Sequence, residues 1–327
     1  MATDMATLII DQKGALLRVE RDVIELVLDG QDVRRVPIKR VGRVVLHGDV
    51  ALSSAALMKL AEAGVAVVCI GHRTSRYAVV SGTLHGDARR RIKQHLVFQD
   101  AAACRELARV LVVAKMVAQA RVLTRALHAR PELRRLLLVT SARLHRLAIS
   151  LRPDQNLSLA TLRGKEGTAA ARYFGAYRFL FADSLGFTGR EHHPSPDPVN
   201  AILSLAYTML HAEAVKALHA AGLDPYAGFF HAPGFGHASL ASDLMEPCRP
   251  LVDAWVHKMF SSRVLRADLF HAERGAAMLG KAGREHFYGD FEKFIKPVRR
   301  LLRAMSWSLL RHLDQRHAAG IVDRTSP

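Results

Sequence analysis

Short apolar runs separated by turn residues occupy the first part of the chain. Five of them have the length and the β-branched or aliphatic character of strands: ATLII, ALLRVE, VIELVL, DVRRVPI and RVVLH. Asp29 and Gly30 lie between the third and fourth runs, and both residue types tolerate the positive φ of a short hairpin turn. Gly14 and Gly42 mark further turns. The pattern predicts an antiparallel β-domain at the N-terminus.

One helix interrupts these predicted strands. Ser53 or Ser54 can cap the segment AALMKLAEAG, which ends at Gly64. Two strands follow. VAVVCI has the continuous apolar character of a buried strand, and RYAVVSG is predicted to be an edge strand. Because the pattern changes near His85, we predict a β-sandwich-like domain with one inserted helix over residues 1–87.

From residue 88 onward, apolar residues recur at helical spacing. Long examples are LARVLVVAKMVAQARVLTRAL and FEKFIKPVRRLLRAMSWSLLRHL, and Pro131 suits the first turn of another helix, PELRRLLLVTSARLHRLA. The pattern predicts an all-helical domain over residues 88–327. The chain is therefore assigned to the α+β class with two domains, which agrees with its length of 327 residues.

Composition narrows the cellular setting. No apolar run approaches the ~20 residues of a membrane-crossing helix, and the N-terminal MATDMATLIIDQKG lacks the basic region and cleavage site of a secretory signal. We therefore expect a cytoplasmic protein with no membrane partner. Cys69, Cys104 and Cys248 form no C-x-x-C pair, which argues against a disulfide framework or a thiolate zinc site.

The charge balance indicates a class of partner. Lys+Arg 47 against Asp+Glu 30 leave a formal net charge of +17. Such an excess favours binding to a polyanion. The alternative is an arginine-rich proteome that raises the isoelectric point of its proteins generally. The net charge therefore indicates a class of partner but does not indicate which activity the protein has.

Three segments of the helical region carry candidate chemistry. In the first, LRGKEGTAAARYF, Glu166 lies among the basic residues Arg163, Lys165 and Arg172, at what the flanking glycines suggest is a helix start. Its carboxylate can bind a cation there. A purely structural interpretation is equally open, because the helix macrodipole favours an acidic residue in a first helical turn.

The second segment runs from residue 197 to 231, DPVNAILSLAYTMLHAEAVKALHAAGLDPYAGFFH. Asn200, Ser204 and Tyr207 place polar groups along one face of an otherwise apolar helix, which is unusual for a helix that only packs. His231 ends a turn-rich stretch, where an imidazole can face a cleft. A lone histidine in such a place is also commonly structural.

The third segment is SLASDLMEPCRP, in which Asp243 and Glu246 are three residues apart and would share a helix face. Two carboxylates this close require a cation between them, either a metal ion or a basic side chain such as Arg249. Together the three segments supply two carboxylates and an imidazole, which suit Mn²⁺ somewhat better than Mg²⁺ and leave Zn²⁺ open. Such an ion would polarise a scissile phosphate.

In this order and spacing, the three segments resemble the signature blocks of the CRISPR-associated adaptation endonuclease and integrase, the Cas1 family. The resemblance implies that Glu166, His231 and Glu246 are the metal ligands, and that Asp243 is a further acidic residue of the catalytic site, either supporting the ligands or occasionally ligating. His237, six residues after His231 in a glycine-rich loop, is a rival ligand.

The resemblance also implies partners and a reaction. The family is homodimeric, combines a β-domain with an α-domain and works with a small ferredoxin-like protein, Cas2. It inserts short foreign DNA fragments into a CRISPR array when a 3′-hydroxyl of the fragment attacks a phosphodiester of the repeat. This implies Mg²⁺ or Mn²⁺ as cofactor. Residues predicted to contact the DNA backbone are Arg163, Arg172, Arg249, Lys293, Lys296, Arg299 and Arg300.

Two other functions remain open from the residues alone. The chain can be a non-catalytic, basic DNA-binding protein whose acidic residues pair with Arg163, Arg172 and Arg249. It can also be a metal-dependent hydrolase of small phosphorylated metabolites, which the net charge disfavours. For any single basic run, a solvated helix face is the common alternative to DNA contact.

Overall fold

The computed structural model describes residues 6–12, 14–28, 32–71, 77–80, 82, 85–151, 157–191, 195–273 and 275–318. Two compact units are present: Met1–Gly86 with Phe287–Lys293, and Asp87–His286 with Phe294–Pro327. Strands precede helices along the chain, so the α+β class is confirmed. The exact domain limits, 1–87 and 88–327, stay a prediction.

The described part of the first unit contains all seven predicted strands and the predicted helix. The Ser53 hydroxyl accepts a hydrogen bond from the Ala56 backbone N–H and caps that helix. The elements in chain order are β1 Ala6–Ile10, β2 Leu16–Glu20, β3 Val23–Leu28, β4 Asp32–Pro37, β5 Val41–His47, β6 Ala51–Leu52, α1 Ser54–Glu62, β7 Ala66–Ile70 and β8 Tyr77–Val80.

These strands form two sheets, ordered β1-β5-β7-β8 and β4-β3-β2-β6. In the second sheet β2, β3 and β4 pair antiparallel, as predicted, although the predicted turn at Asp29 and Gly30 lies outside the described residues. In the first sheet β1, β5 and β7 pair in parallel, so the prediction of a purely antiparallel domain was wrong. The connection through α1 brings the chain back so that β7 pairs in parallel with β5. The nearly continuous apolar runs of β5 and β7 are typical of buried parallel strands.

The second unit is built around a long helix. Its helices are α2 Ala88–Gln99, α3 Ala101–Ala126, α4 Arg134–Leu151, α5 Leu159–Tyr177, α6 Pro198–Ala221, α7 Ser239–Met245 and α8 Arg249–Ser261, and the final helix α9, Lys281–Ala318, has residues in both units. Helix α3 packs against α4, α5, α8 and the 3₁₀ turn Glu246–Cys248. It therefore contacts the first and third of the segments that carry the candidate residues.

A β-hairpin interrupts the helical unit. Strands β9, Phe270–Glu273, and β10, Ala276–Leu279, pair antiparallel, so the prediction of an all-helical domain was wrong at this point. Each strand has four residues, too few to display a clear period of two. None of the helices within the described residues is long and apolar enough to cross a membrane.

Candidate functional site

Helix α5 carries Glu166 in its third turn. The Ser158 hydroxyl accepts a hydrogen bond from the Thr161 backbone N–H at 3.0 Å, so the helix begins at Leu159. The backbone stays helical through Gly164 and Gly167, and the predicted helix start at Glu166 was wrong. Because the macrodipole acts within the first turn, it does not account for a carboxylate at this position.

Asp243 fixes the loop that ends at His231. Its Oδ2 accepts hydrogen bonds from the backbone N–H groups of Phe229 at 2.6 Å and Phe230 at 2.9 Å. Its Oδ1 accepts from the His231 backbone N–H at 2.9 Å and lies 2.6 Å from His231 Nδ1. Both oxygens of this fully buried carboxylate are therefore engaged with the loop, and Nε2 is the ring nitrogen left to face the site.

The loop also needs a glycine and an arginine. A Cβ on Gly228 would lie 2.7 Å from the Ser239 carbonyl carbon and 2.8 Å from Asp243 Oδ2, so only glycine lets the loop approach α7 this closely. Arg163 donates from Nη2 to the Phe230 carbonyl at 2.5 Å and from Nε at 3.1 Å. Arg163, predicted to contact DNA, is thus occupied in positioning the segment before His231.

Lys115 joins the two glutamates, and the sequence interpretation missed it. Its Nζ lies 2.5 Å from Glu166 Oε1 and 2.5 Å from Glu246 Oε2. The other oxygen of Glu246, Oε1, accepts a hydrogen bond from Arg249 Nε at 2.7 Å and lies 3.9 Å from His231 Nε2. The structure therefore brings Glu166, His231 and Glu246 together, with Lys115 between the two glutamates.

Opposite effects set the protonation of this cluster. Burial alone raises the pKa of Glu246, but the charges of Arg249 and Lys115 outweigh it and hold the pKa at about 2. Burial lowers the pKa of Lys115, and the two glutamates raise it by more, so the net shift is upward. The glutamate is therefore ionised and the lysine protonated at neutral pH.

A cleft of 550 Å³ opens beside the cluster. The Tyr207 ring forms part of its wall, with the guanidinium carbon of Arg249 4.7 Å and that of Arg190 5.6 Å from the ring centroid. Arg190 donates to Asn200 Oδ1 at 2.8 Å and to Ser204 Oγ at 3.1 Å, which explains the polar face of α6. Among the described residues, Arg190 has no carboxylate within ion-pair distance. The polar and aromatic residues that line the cleft are Lys115, Gln119, Glu166, Phe174, Thr188, Arg190, Tyr207, Glu246, Arg249 and Asp253.

The buried carboxyl group of Asp253, which lines this cleft, should make the stability of the fold depend on pH. Burial raises the pKa of Asp253 to about 6, even though the Tyr207 hydroxyl donates a hydrogen bond to Oδ1. The unfolded chain releases this proton near pH 4, so the group contributes stability below pH 4 that is lost as the pH rises toward 6. We expect Asp253→Asn, which keeps an acceptor for Tyr207, to raise the free energy of unfolding at pH 7.5 by about 1–3 kcal/mol. Urea unfolding at pH 4 and 7.5 measures this, and a less stable variant at pH 7.5 would contradict it.

The other predicted residues lie outside the cluster. His237 Nε2 lies 3.3 Å from Ser242 Oγ, and its ring centroid is 6.2 Å from that of His231. Arg299 forms an ion pair with Glu213 at 3.0 Å. The remaining predicted DNA contacts are exposed side chains, namely Arg172, Lys293, Lys296 and Arg300.

The cluster supplies donors of the type that a divalent ion prefers. Two carboxylates and an imidazole converge, and the buried Glu246 Oε2 has the Lys115 ammonium as its ion-pair partner at 2.5 Å. In the described residues, however, no group of three or more His, Cys, Asp or Glu is arranged to hold a metal ion. The donor types fit, while Lys115 occupies the space between the two glutamates.

Fold and site thus define an α+β protein with a carboxylate and histidine cluster beside a polar cleft that presents basic side chains. The family model for CRISPR associated protein Cas1 matches residues 8–293. CRISPR-associated endonuclease Cas1 1 of Thermodesulfovibrio yellowstonii is 33% identical over 304 residues, which cover 91% of this chain and 94% of that protein. CRISPR-associated endonuclease Cas1 1 of Thermus thermophilus is 34% identical over 308 residues, 93% of this chain and 89% of its own length. The chain belongs to the Cas1 family.

Solved structures share the fold at low sequence identity. A casposase bound to its integration product superposes with a TM-score of 0.84 at 20% identity, covering 95% of this chain and 91% of that one. A CAS1 protein from Thermotoga maritima gives a TM-score of 0.82 at 19% identity, with 94% and 97% covered. A Cas6-RT-Cas1--Cas2 complex gives 0.81 at 21% identity, covering 97% of this chain and 36% of that one.

Proposed function

We propose that this chain is a metal-dependent DNA endonuclease and integrase of CRISPR adaptation, which inserts short foreign DNA fragments into a CRISPR array. The observation that carries the proposal is the convergence of Glu166, Glu246 and His231 beside a cleft that also presents Arg190 and Arg249. The relatives named endonuclease Cas1 and the net charge of +17 support it.

In the proposed reaction, a 3′-hydroxyl of the captured fragment attacks a phosphodiester of the repeat. A new oxygen–phosphorus bond forms, the 3′-oxygen of the repeat strand leaves, and the attacking hydroxyl loses a proton while the leaving oxygen gains one. Glu166, Glu246 and His231 Nε2 would hold Mg²⁺ or Mn²⁺, which when bound polarises the phosphate and stabilises its developing charge. Asp243 keeps His231 oriented through Nδ1.

The basic side chains of the cleft would take the phosphate charges of the DNA. Arg190 lacks a carboxylate partner among the described residues, and Asn200 and Ser204 hold its guanidinium at the cleft wall. Such a guanidinium can bind phosphate oxygens through its remaining N–H groups. Arg172, Lys293, Lys296 and Arg300 are exposed and extend this proposal to the flanking backbone.

We further propose a homodimer that works with a small Cas2 protein on fragment and repeat DNA. One structure that shares this fold is a Cas6-RT-Cas1--Cas2 complex, and another is a casposase bound to integration product. The family membership of this chain supports the same partners.

Removal of the metal ion provides the direct test. We expect purified protein with its Cas2 partner to join a labelled DNA fragment to a repeat-containing duplex in Mn²⁺ or Mg²⁺, and EDTA to reduce the joined product below detection. Denaturing gels resolve the product, and added Mn²⁺ in excess over EDTA should restore it. Joining that persists at full rate in EDTA would contradict the proposal.

One observation favours a second candidate, a non-catalytic DNA-binding protein with a structural acidic cluster. Lys115 pairs with Glu166 and Glu246, and Arg249 pairs with Glu246, so basic side chains neutralise both carboxylates as a structural cluster requires. Arg163 and Arg172, which were also predicted to pair with the acidic residues, are not among these partners. This candidate predicts DNA binding that falls steeply with salt and responds neither to metal nor to EDTA.

A further inference from the structure

The glutamates of the cluster are already neutralised by side chains. Glu166 and Glu246 carry two negative charges, and Lys115 and Arg249 carry two positive charges. A divalent ion added to this group would leave it with two excess positive charges in a largely buried place. Strong binding of the ion therefore requires that one of the two cations leave or that additional negative charge arrive.

The position of Lys115 conflicts directly with an ion between the glutamates. Its ammonium lies 2.5 Å from one oxygen of each carboxylate. An ion such as Mg²⁺ binds oxygens at about 2.0–2.1 Å. An ion that bridged these same two oxygens would thus occupy the place of the ammonium nitrogen.

Arg249 and Lys115 differ in their freedom to move. Arg249 is held between Glu246 and the face of Tyr207, and its planar group fits both contacts. Both side chains line the open cleft, where a DNA phosphate would pass, but Lys115 ends a flexible four-carbon stem on α3 and its compact ammonium has no planar contact to keep. Lys115 is therefore the cation of this cluster that can turn from a carboxylate to a ligand in the cleft.

We propose that Lys115 couples divalent-ion binding to DNA binding: its ammonium pairs with Glu166 and Glu246 in the protein alone and moves to a DNA phosphate when the ion takes these carboxylates. The inference rests on the proposed function, and it makes Lys115 a positioning residue that competes with the ion. Each ligand should strengthen the binding of the other, because coupling between two sites is reciprocal.

The first test is Mn²⁺ affinity without DNA, measured by titration calorimetry. Lys115→Gln removes the competing charge, and we expect it to bind Mn²⁺ at least tenfold more tightly than the wild type. The matched control is Lys93→Gln, which also removes one positive charge and breaks an ion pair, with Asp314 at 2.8 Å. The control should bind Mn²⁺ within twofold of wild type. Unchanged or weaker Mn²⁺ binding by Lys115→Gln would overturn the inference.

The second test is DNA affinity, measured by fluorescence anisotropy with a labelled duplex. In EDTA the ammonium is engaged with the glutamates, so Lys115→Gln should bind DNA within twofold of wild type. In saturating Mn²⁺ the variant lacks the released ammonium, and we expect its DNA affinity to fall about fivefold below wild type. An equal loss in both conditions would make Lys115 an ordinary DNA contact and overturn the coupling.

Two further measurements keep the outcome decisive. Lys115→Arg retains the charge and can bind a carboxylate through two N–H groups, so it should weaken Mn²⁺ binding at least about fivefold even if Lys115→Gln does not fold; unchanged affinity in this variant contradicts the inference. Wild-type protein that binds no Mn²⁺ either alone or with duplex DNA present would overturn the proposed function and this inference with it. If the wild type binds Mn²⁺ and a folded Lys115→Gln variant binds it no more tightly, the inference alone is overturned and the proposed function stands.

Discussion

Glu166→Gln is expected to lower metal-dependent DNA joining on the order of a thousandfold, because loss of a ligand removes several kcal/mol of transition-state stabilisation. The amide keeps the shape of the side chain and removes its charge. Lys115 still has Glu246 as a partner at 2.5 Å, so the cluster retains an ion pair and the fold should persist. DNA binding in EDTA should stay within about threefold of wild type, since the basic side chains of the cleft are unchanged.

The matched control is Glu132→Gln, which removes a carboxylate paired with Arg130 on the surface of the same unit. It should leave joining within twofold of wild type. Gel assays give the rates, and calorimetry with Mn²⁺ shows whether the lost activity accompanies lost ion binding. Full joining activity in Glu166→Gln would remove Glu166 from the metal site and leave the structural interpretation of the acidic cluster.

Local sequence was sufficient to find the three segments that form the site, because each combines charged or polar residues with clear turn or cap signals. Their convergence was a hypothesis from the combined donor types and from the family resemblance, since no spacing within one segment reports on the distance to another. The structure places Glu166, His231 and Glu246 within one cluster. Their roles as metal ligands stay a prediction that the variants above test.

Lys115 was missed because it lies in a long apolar segment that reads as a core helix. A signal was nevertheless present: Lys115 and Gln119 are four residues apart in LVVAKMVAQA, so they share one face of α3. Both line the cleft. A charged and an amide side chain within an otherwise apolar stretch of helix indicate a polar site, although not which carboxylates lie opposite.

The errors in the fold have a common physical origin. Periodicity predicts that a segment is a strand but not its pairing partner, and so the parallel pairs of β5 with β1 and β7 were assigned as antiparallel. Gly164 and Gly167 suggested a helix start near Glu166, whereas Ser158 caps the helix six residues before Gly164. Neighbouring turns and tertiary packing keep α5 helical through both glycines despite a cost of about 1 kcal/mol each.

Asp243→Asn is expected to weaken both the fold and the metal site. Each carboxylate oxygen of Asp243 contacts two donors. Oδ1 contacts the backbone N–H and the ring Nδ1 of His231, and Oδ2 accepts from the backbone N–H groups of Phe229 and Phe230. An amide offers one oxygen and turns an NH₂ group toward the other pair of donors. Two buried donors left without an acceptor cost about 2–5 kcal/mol together, which lowers the melting temperature by roughly 5–15 °C in a unit of this size.

The same change should lower Mn²⁺ affinity by about 10–100-fold, because His231 loses the carboxylate that orients its ring. Thermal unfolding and Mn²⁺ calorimetry measure the two effects separately. Asp268→Asn is the control, since it removes an exposed carboxylate that pairs with Arg266 at 3.0 Å and should change neither quantity appreciably. A variant with wild-type Mn²⁺ affinity but reduced stability would show that Asp243 supports only the loop. A variant with wild-type stability would contradict the hydrogen-bond account itself, because four donors converge on this one buried carboxylate.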